Sequence, residues 1–264
     1  FPVFFFFSSL NKFTLFIYFN LFLLGTLSDF NYLSSAKKRF LIQIGIVVFF
    51  VFMSKLEVTP TRIEVIDNLF NNSIVSYTFT AFCLLILING SNFIDGLNGL
   101  VLGYFISIFL ILIKLNLFEE LNISNLVLVY FGFVIVFLFI LNIFNKLYLG
   151  DNGAYLLGLV FSLLLIKIYQ LDGNFSPYFV ILLLWMPCFE NLFSIIRKLN
   201  KKFSPLNPDN KHLHQLLYFF VKKKLSLSTI FSNNLSSAIL IFFNFLIIYI
   251  CSLKPGSTIY QVNF

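Results

Sequence analysis

Asn89-Gly-Ser-Asn-Phe-Ile-Asp-Gly-Leu-Asn-Gly-Leu100 is a polar, glycine-rich break between two long apolar runs, 74–89 before it and 99–117 after it. Runs of this length and apolarity read as membrane spans. Backbone crosses lipid only as helix or closed barrel, and unbroken apolarity without period-two alternation selects helix. The stretch is therefore a loop between two membrane helices. At its centre stands Asp95. An ionisable group at the edge of a span is costly and is by default a candidate functional residue. Glycines on either side let the backbone turn tightly and come close to a ligand.

The rest of the chain repeats this alternation. Of its 264 residues, 59% are hydrophobic and 11% charged, and Phe alone contributes 39. A mean hydropathy of +0.93 excludes a soluble globular domain. Eight candidate spans run over 10–27, 40–54, 74–89, 99–117, 125–145, 153–170, 177–196 and 229–252. The expected fold is an all-α, polytopic integral membrane protein of about eight transmembrane helices, with residues 1–264 forming one membrane-embedded domain. There is no internal repeat and no signal peptide with a small-residue cleavage site. The first residue is Phe rather than Met, and the sequence stops soon after an apolar run. Further N-terminal spans and a last C-terminal span are thus expected outside it, with Phe1–Phe7 as the tail of a preceding span. Cys83, Cys188 and Cys251 lie in apolar runs without metal-ligand spacing and read as small buried hydrophobes.

Charge sorts the loops. On one side, loops 28–39, 90–98, 146–152 and 197–228 hold Lys37, Lys38, Arg39, Lys146, Arg197, Lys198, Lys201, Lys202, Lys211, Lys222, Lys223 and Lys224, 12 of 18 basic residues. The other side holds Glu57, Glu64, Asp67, Glu119, Glu120 and Asp172. The basic side is cytoplasmic by the positive-inside rule. The net charge of +7 follows from topology and an anionic leaflet, with no need of nucleic acid. Four acids nevertheless fall on the basic side, Asp29, Asp95, Asp151 and Asp209, each within a distinct polar motif.

Asp151 lies in Leu147-Tyr-Leu-Gly-Asp-Asn-Gly-Ala-Tyr-Leu-Leu-Gly158. A carboxylate there suits Mg²⁺, which takes oxygen ligands and keeps waters and substrate phosphates. It equally suits a helix N-cap, worth about 1 kcal/mol. Asp29, in Leu24-Gly-Thr-Leu-Ser-Asp-Phe30, either caps or ends the first span. Both histidines of the chain, His212 and His214, fall in Ser204-Pro-Leu-Asn-Pro-Asp-Asn-Lys-His-Leu-His-Gln-Leu216 beside Lys211. Their i, i+2 spacing is not that of a helical zinc pair. They suit phosphate contacts or proton donation, or a solvated basic loop near headgroups. Glu190, in Trp185-Met-Pro-Cys-Phe-Glu-Asn-Leu-Phe-Ser194, is the one acid inside a span. It either snorkels or pairs with a nearby Lys or Arg, or belongs to the site. Tyr148 is either an interfacial anchor or a stacking surface for a flat ring. Carboxylates, a divalent ion and basic groups at a membrane face are what phosphoryl transfer requires, because that chemistry depends on positioning and charge neutralisation.

These motifs resemble the polyprenyl-phosphate N-acetylhexosamine-1-phosphate transferases. NxxNFIDGLNGL, LGDNGAYLLG and PDNKHLHQLL match three family motifs in order, GTLSDFNYLSSAKKRFLIQ resembles a fourth, and PCFENLFSIIRK matches the helix before the histidine loop. The likeness spans about Gly25 to Leu217. It implies transfer of N-acetylhexosamine-1-phosphate from a UDP-sugar to polyprenyl (undecaprenyl) phosphate at the cytoplasmic face of the bacterial inner membrane. UMP would be released and a lipid-linked surface glycan begun. By the same resemblance Asp29 and Asp95 lie near the transferred phosphate as base or nucleophile, and Asp151 binds Mg²⁺, with Mn²⁺ as a substitute. Asn89, Asn92 and Asn98 help to hold the nucleotide sugar, Tyr148 lies near the uracil, and His212, His214 and Lys211 contact the diphosphate or sugar. The HxH form looks more like the N-acetylhexosamine branch than the peptidoglycan branch. Implied partners are the UDP-N-acetylhexosamine, polyprenyl phosphate, the lipid bilayer and a second copy in a homodimer.

Two departures stand out. Ser28 precedes Asp29 where the family has two adjacent acids, and Asn98 stands where many relatives have Asp. Two rival readings follow: an inactive family member, motivated by Ser28, and a transporter or lipid carrier using the polar breaks. A transporter places such breaks near the midplane, often in repeated halves.

Overall fold

The structure, a computed structural model, describes residues 12–58, 60–121, 123–171, 175–202 and 211–263. Asp172, Asp209 and Phe1–Phe7 lie outside the described residues. The elements are α1 (Lys12–Asp29), α2 (Ala36–Ser54), α3 (Glu64–Phe70), α4 (Ser73–Phe93), α5 (Leu100–Lys114), α6 (Leu117–Glu120), α7 (Asn125–Ile143), α8 (Gly150–Leu171), α9 (Pro177–Leu183), α10 (Trp185–Asn200), α11 (Leu213–Leu225), α12 (Thr229–Cys251) and α13 (Thr258–Asn263). The described residues contain no strand, in keeping with an all-helical membrane fold.

Seven of the eight expected spans each coincide with one helix, and the eighth, 177–196, falls on two. Four of these, α4, α7, α8 and α12, are long and apolar enough to cross a membrane, and a fifth does so if α9 and α10 count as one bent span. α5 has only 15 residues, about 22 Å at 1.5 Å per residue, against a hydrocarbon core of about 30 Å. It ends early because Asn116 turns into a left-handed conformation, φ 55°, and directs Leu117 and Phe118 back into the core. Side chains start several helices: Ser35 caps α2, Asn72 caps α4, Ser124 caps α7 and Ser228 caps α12.

α8 is the central post. Buried residues make up 72% of its apolar window, against 17% for the outer helix α7. α1 and α4 pack along it, and α10 packs on α4. Small residues allow the approach. A Cβ on Gly25 of α1 would fall on the Asn152 backbone of α8, and one on Gly90 of α4 would fall on the Pro187 carbonyl of α10. Helices associate in lipid by such close packing rather than by a hydrophobic drive.

The expected span 177–196 is corrected by the structure: α9 and α10 meet at Leu184 with a bend of 77°. Pro187 explains the break, because proline has no N–H to give to the carbonyl four residues earlier and its ring clashes there. That carbonyl belongs to Leu183, and the buried Tyr104 hydroxyl donates to it at 2.6 Å. A neighbouring helix thus satisfies the group that the proline frees.

α10 is amphipathic in the inverted sense. Its buried face carries Glu190, Asn191, Ser194 and Lys198, while Phe189, Leu192, Phe193, Ile196 and Leu199 are exposed. Apolar side chains outward and polar ones inward are what a bundle with a polar interior site requires in lipid. Asn191 Nδ2 donates to the Ile86 carbonyl of α4 at 3.0 Å.

The close approach of α1 to α8 gives a test. Gly25→Ala must push its Cβ into the Asn152 backbone, which lies under 3 Å away and cannot swing aside. It should destabilise the detergent-solubilised protein by about 1–3 kcal/mol. Gly45→Ala, whose Cβ meets nothing within 4 Å, should cause no loss. Thermal unfolding of the two variants, side by side, checks this.

Candidate active site

The first four N–H groups of any helix lack intrahelical partners. At the start of α8 two of them are met by a carboxylate from another helix. Asp29, the last residue of α1, accepts from Asp151 N at 2.9 Å and from Asn152 N at 3.2 Å through its two oxygens. Asp95, in the loop between α4 and α5, lies near enough to the Gly150 N–H for that group to favour its carboxylate. Both charges also sit at the positive end of the α8 dipole. Gly150 is required at this corner: its φ is +67°, and a Cβ there would stand 2.8 Å from Asp29 Oδ2. The capping that the sequence offers to Asp151 is thus performed by Asp29. Asp151 lies inside the helix and turns its carboxylate to the site.

Around Asp151 the contacts fall on Oδ2. The Ser28 hydroxyl donates to it in a short hydrogen bond, the Tyr155 hydroxyl donates at 3.4 Å, and Arg39 Nε stands 3.9 Å away. Ser28 therefore orients the aspartate. The Asp95 carboxyl is pushed up to about 7, first by burial, then by the charges of Asp151 and Asp29, with partial relief from the Gly150 N–H.

The histidines approach from the other side. Glu190 of α10 binds the start of α11 with both oxygens, Oε1 accepting from Leu213 N at 2.8 Å and Oε2 meeting His212 Nδ1 at 2.9 Å. Its partner is His212 rather than the Lys or Arg expected from sequence. His214 is 1% exposed, and its ring lies where a Cβ on Gly96 would stand. Its Nδ1 has no hydrogen-bond partner among the described residues. Burial pushes the His214 imidazole down to about 4, with His212 adding to the effect and the Glu190 charge opposing it. His214 is thus neutral at pH 7.

Other predicted residues are placed elsewhere. Asn98 faces away from the acids: its N–H donates to Asn233 Oδ1 at 2.7 Å and its Nδ2 to Asn145 Oδ1 at 2.6 Å, in a clasp joining the α4–α5 loop, the α7–α8 loop and α12. Asn89 Nδ2 donates to the Leu85 carbonyl of its own helix, and the Asn92 carbonyl accepts from Asp95 N at 3.2 Å. Tyr148 is 79% exposed, free of the core and open to a ligand ring. The Lys211 carbonyl accepts from Arg197 at 2.6 Å, which ties the histidine loop to α10. Arg39 and Tyr155 escape sequence reading, Arg39 because it counted only as a topogenic charge and Tyr155 because a tyrosine in an apolar run carries no distinguishing signal.

Among the described residues no three His, Cys, Asp or Glu side chains are arranged to hold a metal ion. Mg²⁺ does not need such a cage, because one or two carboxylates and substrate phosphates commonly hold it. Asp151 and Asp29 lie close enough to Asp95 to raise its proton affinity, so hard oxygen donors of the kind that ion takes gather at this corner.

Fold and site together define a polytopic membrane protein with an acid- and histidine-lined centre built where the ends of several helices meet. Residues 12–169 match the model of glycosyl transferase family 4. The chain is 30% identical over 211 residues to a Bacillus subtilis (strain 168) protein named "Probable undecaprenyl-phosphate N-acetylglucosaminyl 1-phosphate transferase", covering 79% of this chain and 58% of that protein. It is 28% identical over 170 residues to the "Undecaprenyl-phosphate alpha-N-acetylglucosaminyl 1-phosphate transferase" of Thermotoga maritima, covering 62% and 53%. The chain spans little more than half the length of these curated relatives. It belongs to glycosyl transferase family 4.

The raised Asp95 carboxyl has two measurable results. Its folded value of about 7 exceeds the ordinary 3.8. The native state therefore holds the extra proton between those values, and this group's contribution to stability is greatest at low pH and falls as pH rises through that window. A divalent cation favours the carboxylate. Adding Mg²⁺ to the purified protein at pH 6 should then release more protons than at pH 8, and Asp95→Asn should abolish the difference. Calorimetry in buffers of different ionisation enthalpy measures it.

Proposed function

We propose that the protein transfers N-acetylglucosamine-1-phosphate from its UDP-sugar to undecaprenyl phosphate at the cytoplasmic face of the bacterial inner membrane. The observation that carries this reading is the convergence of Asp29, Asp95, Asp151 and the His212/His214 turn, four separated segments, at one end of the helices. A lipid phosphate oxygen attacks the sugar-linked phosphorus, the bond from that phosphorus to the bridging oxygen breaks, and UMP leaves. The product is the sugar on a lipid diphosphate. The relatives' names supply the sugar and the acceptor, and the basic loops supply the orientation.

The residues divide the work. Asp29 is committed through both oxygens to the start of α8, so it shapes the site. Asp95 is not committed in that way, and its proton affinity is matched to neutral pH, which suits it to take a proton from the lipid phosphate. Asp151, with its carboxylate steadied by Ser28 and Arg39, would hold Mg²⁺ with its free edge. When bound, that ion would neutralise phosphate charge. His212 and Lys211 meet the diphosphate, and Tyr148 lies against the uracil. The serine in place of an acid is compatible with turnover on this account, because its hydroxyl still contacts the metal-binding carboxylate. A translocation pathway fits less well, since the polar breaks gather at helix ends rather than at mid-span.

Membranes carrying the protein should release UMP from UDP-N-acetylglucosamine in the presence of undecaprenyl phosphate and Mg²⁺. Asp151→Asn should lower that rate at least about 100-fold. Unchanged rates in the variant would overturn the metal assignment, and lipid movement without UMP would favour a carrier.

A further inference from the structure

Glu190 is 3% exposed in a helix whose outer face is lipid-directed apolar surface. A carboxylate so placed must be paired and hydrogen-bonded. Both of its oxygens are taken by the first turn of α11: Oε1 accepts from Leu213 N at 2.8 Å, and Oε2 meets His212 Nδ1 at 2.9 Å. An ionised carboxylate only accepts, so this contact suits the tautomer with the proton on Nδ1 of His212.

The ring is fixed on its faces as well. Its centroid lies 5.4 Å from that of Phe93 and 5.7 Å from that of His214, the latter pair stacked at 14°. Phe93 closes α4 two residues before Asp95, and His214 rests on Gly96, the residue after Asp95. Glu190 therefore joins α10 to α11 and, through His212, refers the histidine turn to the Asp95 loop.

We infer that Glu190 is a positioning residue: it fixes His212 with the proton on Nδ1, so that Nε2 is the edge that meets a phosphate oxygen of the nucleotide diphosphate. This rests on the phosphate-transfer reading above. The arrangement is that of a carboxylate–histidine pair in which the acid sets the tautomer and orientation of the imidazole and never touches substrate.

The test combines a spectroscopic and a kinetic arm. With ¹⁵N-labelled histidine in lipid nanodiscs, long-range ¹H–¹⁵N correlation should show His212 carrying its proton on Nδ1. In Glu190→Gln, the amide oxygen keeps the Leu213 N–H and the amide NH₂ faces Nδ1, so the proton should move to Nε2. In turnover, Glu190→Gln should lower kcat about 10- to 100-fold with little change in KM. In a His212→Gln background the same change should cost less than about 2-fold, because the two act as a unit. Glu190→Ala is the fold control and should lower the thermal midpoint, while Glu190→Gln should keep it. An unaltered tautomer in Glu190→Gln, or an equal kinetic loss with and without His212, would overturn the inference. The tautomer arm needs no turnover, so absent UMP release would count against the transferase reading and leave the positioning claim to be decided separately.

Discussion

The structure depends on satisfying one helix start. α8 is the most buried span, and its first N–H groups open at the membrane edge, where bare backbone is expensive. Asp29 supplies acceptors for two of them, and Asp95 stands beside the Gly150 N–H. To do so, α1 must end at Asp29, the α4–α5 loop must fold back, and Gly150 must take a positive φ. The same carboxylates that close the helix also create the local excess of negative charge that makes the place useful. Stability and chemistry draw on a single set of atoms, and two negative charges are tolerable there because the helix end offers N–H groups and a favourable dipole.

A second acid repeats the device. Glu190 closes the start of α11 as Asp29 closes that of α8. In each case a carboxylate from another helix, rather than a local Ser or Asp, does the capping. Local caps fix where one helix begins, as Ser35 and Asn72 do. Caps from a distance fix where one helix begins relative to another, which is what a site assembled from distant segments needs.

Much of this was legible in the sequence, and the reasons are physical. Lipid permits so few backbone solutions that apolar runs alone located every long helix. Charge parity alone set Asp29, Asp95, Asp151 and the histidine turn on one side, and the contacts among them bear out that grouping. What escaped was pairing at the level of side chains. Asp151 carried the sequence signal of an N-cap, yet the cap belongs to Asp29, 122 positions away. Glu190 looked fit for a basic partner, but Arg197 and Lys198 both lie about two turns along its own helix, while His212 approaches from the next. Asn98 sits three residues from Asp95, yet its bonds run to Asn145 and Asn233 on the opposite side of the loop. Such choices are made by three-dimensional direction, which spacing along a chain does not encode. The Leu184 break was readable in principle from Pro187, but continuous apolarity across 177–196 concealed it.

That break has a mechanical side. Two segments at 77° cannot both follow the bilayer normal, so at least one lies steeply inclined among the lipids. A straight helix such as α12 transmits any mismatch between its length and the bilayer as tilt along its whole axis. The α9–α10 pair has an elbow, held by the Tyr104 hydroxyl, at which such a strain is interrupted. The histidine turn is anchored to α10 beyond that elbow, so a tilt of α9 is not carried to it along one unbroken helix axis.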